Sequence, residues 1–245
     1  TQMNCLVVGT HALFQEAVVY GNLGYIVIDE QHRIGVKQRE MLCKKNHNPH
    51  LLVMSATPIA RTLAMILYGD MDISTIHEMP ANRIPIKNCV IKSSKRPTAY
   101  QFIEKELQHG HQAYVICHLI EESEDSEYEN VISYHEKLCA FFQNKYHIEI
   151  LHGKMSADQK ESIMTSYSKH EIDILVSTTV IEVGIDVPNS TVILIEDAQA
   201  FGLSQLHQLR GRVGRSNLQS YCIMIDSSKG KEENPRLQIC NHSND

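Results

Sequence analysis

The stretch Tyr25-Ile-Val-Ile-Asp-Glu-Gln-His32 joins a short apolar run to two adjacent carboxylates, and it decides the fold class. Similar apolar, β-branched runs recur along the chain and alternate with segments of helical period. This alternation predicts an α/β fold with parallel sheets flanked by helices. Open parallel sheets present ligands at the carboxyl ends of their strands, which is where Asp29 and Glu30 are expected to lie.

Asp29 and Glu30 suit a site for phosphate chemistry. One carboxylate can hold Mg²⁺ through water while its neighbour orients or deprotonates an attacking water. The alternative is an acidic strand end that caps the next helix, and the pair taken alone favours it. A second apolar run, Leu51-Leu-Val-Met-Ser-Ala-Thr-Pro58, ends in Ser55 and Thr57, whose hydroxyls can bond those carboxylates or cap a helix. Two such runs at this spacing are more specific than either alone.

The run Gln205-Leu-His-Gln-Leu-Arg-Gly-Arg-Val-Gly-Arg215 concentrates planar polar side chains. Gln208, Arg212 and Arg215 have helical spacing, which predicts that they share one helix face. Forked guanidinium groups in such an arrangement suit a phosphate group. The two glycines of the run would each weaken a helix by about 1 kcal/mol relative to Ala, which indicates a close approach of backbone or ligand. A solvated basic helix end is the alternative, and it would not need two glycines.

A fourth run, Ile174-Leu-Val-Ser-Thr-Thr-Val-Ile-Glu-Val-Gly-Ile-Asp186, ends in two threonines and Gly-x-Asp. Threonine hydroxyls and backbone amides at a strand end can bind phosphate, and Asp186 can bond a ribose or Arg215. Two further pairs, Thr10-His11 and His152-Gly153, also follow apolar runs. Either pair alone would indicate no more than a loop.

Composition excludes several classes of protein. The 245 residues are 42% apolar and 21% charged, close to a globular average, which excludes a disordered or fibrous chain. The net charge of −6 is uneven, because residues 1–97 hold 11 Lys and Arg against 7 Asp and Glu. No apolar stretch is long enough to span a membrane. Seven cysteines without a CxxC spacing predict free thiols in a reducing compartment.

The predicted elements form two α/β halves joined by a Pro-rich, basic crossing at residues 79–97, and the acidic run Glu121–Glu129 is expected to be a solvated loop. One predicted helix carries a capping box formed by Ser156 and Gln159. Predicted strands are residues 5–8, 25–28, 51–55, 73–77, 112–119, 148–151, 174–177, 192–195 and 220–225. Predicted helices are residues 37–45, 59–68, 98–109, 131–144, 157–167 and 204–213.

Four of these motifs together resemble a known set. DEQH, SATPI, TTVIEVGIDVP and QLHQLRGRVGR, in this order and spacing, resemble motifs II, III, V and VI of superfamily 2 helicases. Residues 8–12 resemble motif Ib of the same set. More narrowly, IDEQHRIGVKQR, HLLVMSATPIARTLAMILYGDMD, IEESE and FGLSQLHQLRGRVGR resemble the RecG family of ATP-dependent DNA helicases. The resemblance extends from about residue 4 to about residue 226.

The resemblance implies two RecA-like lobes, the first incomplete, with ATP and Mg²⁺ as cofactors. Residues 1–80 would be the second half of lobe 1, residues 81–97 an interlobe linker, residues 98–230 lobe 2, and residues 231–245 the start of a following element. Asp29 would hold Mg²⁺, Glu30 would activate water, and the second lobe would supply the catalytic Gln208, Arg212 and Arg215. Coupling residues would be Gln31, His32, Ser55 and Thr57. Nucleotide contacts would come from Gly184 and Asp186, and DNA contacts from Thr10, His11, His152, Gly153, Thr178 and Thr179.

The chain departs from the family because it contains no GxxxxGKS/T phosphate-binding loop. The resemblance therefore implies a motor fragment, inactive by itself, of a double-stranded-DNA translocase that remodels stalled forks and Holliday junctions. A non-catalytic DNA-binding protein derived from such a motor is the alternative, although its carboxylates and arginines are intact. A transcription-repair coupling or RNA helicase relative is a third interpretation. The expected partners are branched or double-stranded DNA and replication-fork proteins, and the protein is expected to be monomeric, cytoplasmic and associated with the bacterial nucleoid.

Overall fold

The computed structural model describes residues 5–30, 34–45, 49–55, 71–76, 83–118, 124–178, 186–228 and 234–242. The chain divides into two compact units, Thr1–Ser74 and Thr75–Asp245. Each unit is built on a parallel sheet, so the predicted α/β fold with parallel sheets flanked by helices is confirmed. No helix in the described ranges has the length and apolar character needed to cross a bilayer.

The first unit contains a parallel pair of strands, β1 (Tyr25–Ile28) and β2 (His50–Val53). Helix α1 (Val36–Lys44) and a 3₁₀ helix, His11–Phe14, accompany the pair. Ile26 and Ile28 point into a small core with Leu42, as the alternation of side chains along a strand requires. The intervening β1 side chains, Tyr25 and Val27, are exposed.

Two strands predicted in the first part of the chain are wrong. Residues 5–8 and 73–76 form no strand, and their apolar side chains Leu6, Val8 and Ile76 are largely exposed. An apolar run becomes a strand only where a neighbouring edge offers hydrogen bonds, which the run itself does not specify. The predicted helix at residues 59–68 lies outside the described residues.

The second unit is a six-stranded parallel sheet in the order β3-β8-β7-β4-β6-β5. Two separate apolar clusters cover its faces, because adjacent residues of each strand point to opposite sides. Residues of α2 and α3 pack into one cluster, and residues of α4, α5 and α6 pack into the other. The strands are β3 (Lys87–Lys92), β4 (Gln112–Ile116), β5 (Ile148–Leu151), β6 (Ile174–Ser177), β7 (Ser190–Ile195) and β8 (Tyr221–Asp226). The helices are α2 (Arg96–Gln108), α3 (Glu124–Phe141), α4 (Ala157–Ser168), α5 (Leu203–Arg210) and α6 (Pro235–His242).

Three stretches differ from their sequence interpretation. The expected linker at residues 81–97 contains β3, which pairs with β8 and is an edge strand of the second sheet. The acidic run is helical from Glu124, where α3 begins, because carboxylates are stabilised at the positive end of a helix dipole. Residues 235–242 form α6, which packs Leu237 into the second unit's core.

Candidate nucleotide-hydrolysis and nucleic-acid sites

The carboxyl edge of the first sheet brings together two of the predicted motifs. β1 and β2 are parallel with Ile28 beside Val53, so both strands end at the same edge. The backbone N–H of Met54 donates to the carbonyl oxygen of Ile28 at 2.8 Å. Asp29 and Glu30 therefore leave one strand directly beside the point where Ser55 leaves the other.

A tight turn follows β1 and separates the environments of the two carboxylates. The backbone N–H of Glu30 donates to Oδ1 of Asp29 at 2.9 Å. Glu30 has a φ of 48°, in the left-handed region, which costs about 1–3 kcal/mol for a residue other than Gly and recurs at functional sites. Asp29 is exposed and Glu30 is half-buried, so the pair offers one solvated and one partly shielded carboxylate.

The donor set fits a magnesium ion that is bound through a single carboxylate. Asp29 is an exposed oxygen ligand at a strand end, the type that Mg²⁺ combines with water and phosphate oxygens. The described residues contain no group of three or more His, Cys, Asp or Glu side chains arranged to hold a metal. An ion held by Asp29 would combine this carboxylate with water and phosphate oxygens.

The prediction that Gln208, Arg212 and Arg215 share one helix face is wrong. Gln208 lies in α5, which ends at Arg210, and both arginines follow in an irregular loop. We call residues 211–219 the arginine loop. Its Gly214 has a φ of 76°, a conformation that a right-handed helix cannot contain. The conformation of Gly214 thus prevents a helix from running from Arg212 to Arg215.

Arg215 contacts a second predicted residue. Its Nη1 lies 3.7 Å from Oδ1 of Asp186, and its Nε donates to the carbonyl oxygen of Gly211 at 2.9 Å. The side chains of Arg215 and Asp186 are 37% and 48% exposed, so the ion pair contributes less than about 1 kcal/mol. A weak, solvated pair leaves the guanidinium available to a stronger anion such as phosphate.

Of the two glycines, Gly214 makes a close approach, and its neighbour is a protein side chain. A Cβ placed on Gly214 would lie 2.7 Å from Cγ1 and 2.9 Å from Cδ1 of Ile86. Real Cβ atoms do not approach carbon atoms so closely, so the backbone packs directly on the Ile86 side chain. Gly214 is therefore required both by its φ angle and by this contact.

The predicted DNA-contact residues fall on both units. Thr10 and His11 are exposed at the start of the 3₁₀ helix in the first unit. His152 and Thr178 follow the paired strands β5 and β6, so they lie at one edge of the second sheet. Both of these side chains are buried, whereas Gly153 is exposed and accepts a bond from Nζ of Lys160 at 2.7 Å. The predicted residues Gln31, His32, Thr57, Thr179 and Gly184 lie outside the described residues.

One polar cluster of the second unit was missed by sequence reasoning. Glu196 follows β7 and is 3% exposed; it accepts bonds from Nε and Nη2 of Arg96, each at 2.9 Å. The hydroxyl of Tyr134 also donates to Glu196. The hydrogen bond to Glu196 raises the pKa of Arg96, and burial raises the pKa of Tyr134. The sequence signal that could have revealed this cluster is a glutamate directly after the apolar run at residues 190–195.

Comparisons with known proteins identify the family. The model of the helicase conserved C-terminal domain matches residues 94–217, and that of the DEAD/DEAH box helicase matches residues 3–66. The ATP-dependent DNA helicase RecG of Streptococcus pneumoniae is 51% identical over 96% of this chain, and that of Bacillus subtilis is 47% identical over 98%. The chain covers 35% of each of these relatives, so it spans about a third of their length.

A solved structure supports the same assignment. RecG bound to a three-way DNA junction matches with a TM-score of 0.76 and 39% identity, covering 97% of this chain and 30% of that one. The predicted RecA-like fold is thereby confirmed. Because the C-terminal domain model matches half of its residues, the chain belongs to the superfamily 2 helicases with a conserved helicase C-terminal domain, among which it is similar to RecG.

Proposed function

We propose that this chain forms part of the motor of an ATP-dependent double-stranded-DNA translocase that remodels stalled replication forks and Holliday junctions. The observation that carries the proposal is its identity of about one half to RecG helicases over almost all of its residues. The strand-end carboxylates and the exposed Arg215 give the chain groups suited to ATP hydrolysis. The proposed setting is the bacterial cytoplasm at the nucleoid, with the protein acting as a monomer beside replication-fork proteins.

The proposed roles follow from the chemistry of each side chain. Asp29 would hold Mg²⁺, which when bound neutralises charge on the phosphates. Glu30, partly shielded after its tight turn, would orient and deprotonate the attacking water. Arg212 and Arg215 would stabilise the charge that develops on the transferred phosphate. Ser55 lies at the same sheet edge as the carboxylates and would couple their state to movement.

The test is the effect of Arg212→Ala and Arg215→Ala in the intact protein. Each should lower DNA-stimulated ATP hydrolysis by about 10³-fold, as loss of an arginine finger does elsewhere, while DNA binding is retained. Phosphate release and binding to a three-way junction are measured on the same preparations. Arg236→Ala, which changes an exposed arginine outside the arginine loop, is the matched control and should hydrolyse ATP normally.

Two results would contradict the proposal. Weakened DNA binding with normal hydrolysis would show that the arginines face the nucleic acid instead. Equal stimulation of hydrolysis by a three-way junction, a linear duplex and single-stranded RNA would contradict the proposed preference for branched DNA. Glu30→Gln tests the proposed base independently, because the substitution keeps the shape of the side chain and removes the carboxylate that would deprotonate the water.

A further inference from the structure

The arginine loop rests on the short segment that precedes β3. We call residues 83–86 the pre-strand segment; both stretches belong to the second unit. The Nε of Arg83 donates to the carbonyl oxygen of Gly214 at 3.1 Å. The Nε2 of Gln219 donates to the carbonyl oxygen of Pro85 at 2.9 Å. Together with the packing of Gly214 on Ile86, these contacts join the two stretches at three points.

The pre-strand segment is itself anchored in the core. Ile86 packs against the apolar cluster that also contains Leu209 and Val213. Leu209 belongs to the helix before the arginine loop, and Val213 lies between its two arginines. The backbone that carries the arginines is therefore held from one side by the buried core and from another by Arg83.

The other restraints on Arg215 are weaker. Its ion pair with Asp186 is solvated, and its bond to Gly211 stays within the loop. Neither contact fixes the loop relative to the sheet. The bond from Arg83 does so, because it reaches the backbone of Gly214 from residues that continue into β3.

We propose that Arg83 and Ile86 are positioning residues for ATP hydrolysis, which act by fixing Gly214 and thereby the placement of Arg212 and Arg215. The inference rests on the proposed function of those two arginines. Neither residue is proposed to touch the nucleotide.

The first experiment compares Arg83→Ala with Arg83→Lys in the intact protein. Loss of the bond to Gly214 should lower kcat about 10-fold, while KM for ATP and the melting temperature stay close to those of the parent. Such a pattern identifies an interaction that is made in the transition state. Arg83→Lys keeps a donor at the end of a flexible side chain and should recover part of the loss. Binding of ADP with aluminium fluoride should weaken about 10-fold in Arg83→Ala, with ADP binding unchanged.

The matched control is again Arg236→Ala. Arg236 donates to the backbone carbonyl of Phe201, so it makes the same type of bond in the same unit away from the arginine loop. Its removal should leave kcat unchanged. An equal loss of kcat in both alanine variants, or weaker ADP binding in Arg83→Ala, would overturn the positioning role.

A second pair of substitutions tests the packing contact. Gly214→Ala should lower kcat about 100-fold, because its Cβ meets Ile86 and its φ disfavours any other residue. Ile86→Ala should lower kcat about 3-fold and removes the atoms that the new Cβ would meet. The double variant should therefore have a higher kcat than is obtained by multiplying the fold-losses of the two single variants. Losses that simply multiply would show that Ile86 does not position Gly214.

Arg212→Ala, measured in parallel, separates the two proposals. Normal hydrolysis in Arg212→Ala would overturn the proposed function itself. A large loss in Arg212→Ala with normal hydrolysis in Arg83→Ala would overturn the positioning role alone.

Discussion

Strands β1 and β7 arise from similar apolar runs, but the two units bury them differently. In β1, Tyr25 and Val27 are 57% and 51% exposed while their neighbours are buried. In β7, all six residues from Ser190 to Ile195 are buried. The difference shows that burial of a parallel strand depends on the layers packed around it, and not on its own composition.

The contrast extends to the polar groups of the two units. The second unit buries Glu196 against Arg96, whereas the first unit leaves Asp29 exposed at its strand end. A buried charge must be paired because it has lost its water, but an exposed carboxylate can accept a metal or a water without that cost. Among the described residues, the first unit therefore offers the solvated carboxylate of Asp29, whereas the buried carboxylate of Glu196 in the second unit is already paired.

The largest expected effect comes from removing the half-buried cation that pairs with a buried carboxylate. Arg96→Ala should lower the free energy of unfolding of the second unit by about 3 kcal/mol, because Glu196 stays buried without its cation. In the first unit, Lys45 donates to the carbonyl oxygen of Val18 at 2.7 Å, and Lys45→Ala should cost about 1 kcal/mol. Urea denaturation, with hydrogen exchange to separate the two units, measures both values. Similar losses of unfolding free energy in Arg96→Ala and Lys45→Ala would contradict the inferred difference between the polar groups of the two units.

A matched pair of valines tests the difference in packing. Val192 in β7 is fully buried and Val27 in β1 is about half exposed. Val192→Ala should cost about 2–3 kcal/mol through lost burial and the cavity left behind, whereas Val27→Ala should cost less than about 0.5 kcal/mol. The same denaturation experiment applies. A large cost for Val27→Ala would show that further protein covers this face in solution.

Local signals explain the elements that could be predicted from sequence. The predicted strand bounds 25–28, 148–151 and 174–177 coincide with those of β1, β5 and β6. The start of α4 was predicted by its capping box, in which Ser156 Oγ accepts from the backbone N–H of Gln159 at 3.2 Å. Apolar runs and caps act within a few residues, so a sequence can reveal them directly.

The parts that could not be predicted depend on distant residues. The backbone at Gly214 packs on Ile86, which lies far away in sequence, so no local pattern specifies the path of the arginine loop. Glu196 is held by Arg96 and Tyr134 from two other elements, and no local pattern pairs them. In the first unit, the expected pairing of the two strands that precede Asp29 and Ser55 is observed, because β1 and β2 are parallel neighbours.

The smallest expected effect is an alkaline loss of stability. Burial raises the pKa of Tyr100 to about 12 from its ordinary value of 10.0. Because its pKa is lower, the phenol ionises first in the unfolded chain. Its contribution to stability is therefore fully present below pH 10 and is lost as the pH rises towards 12. When the pH is raised from 9 to 11, the free energy of unfolding should therefore fall less in Tyr100→Phe than in the parent. The expected difference is about 1 kcal/mol.

This pH dependence also sharpens the contrast between the units. Among the described residues, buried tyrosines occur in the second unit, whereas Tyr20 is half-buried and Tyr25 exposed in the first. Hydrogen exchange at pH 9 and pH 11, corrected for intrinsic rates, should thus show the loss of stability in β4 and β7 of the second unit. An equal pH dependence of stability in the parent and Tyr100→Phe would mean that the phenol remains hydrated. The second unit would then be less tightly packed around α2 than the structure indicates.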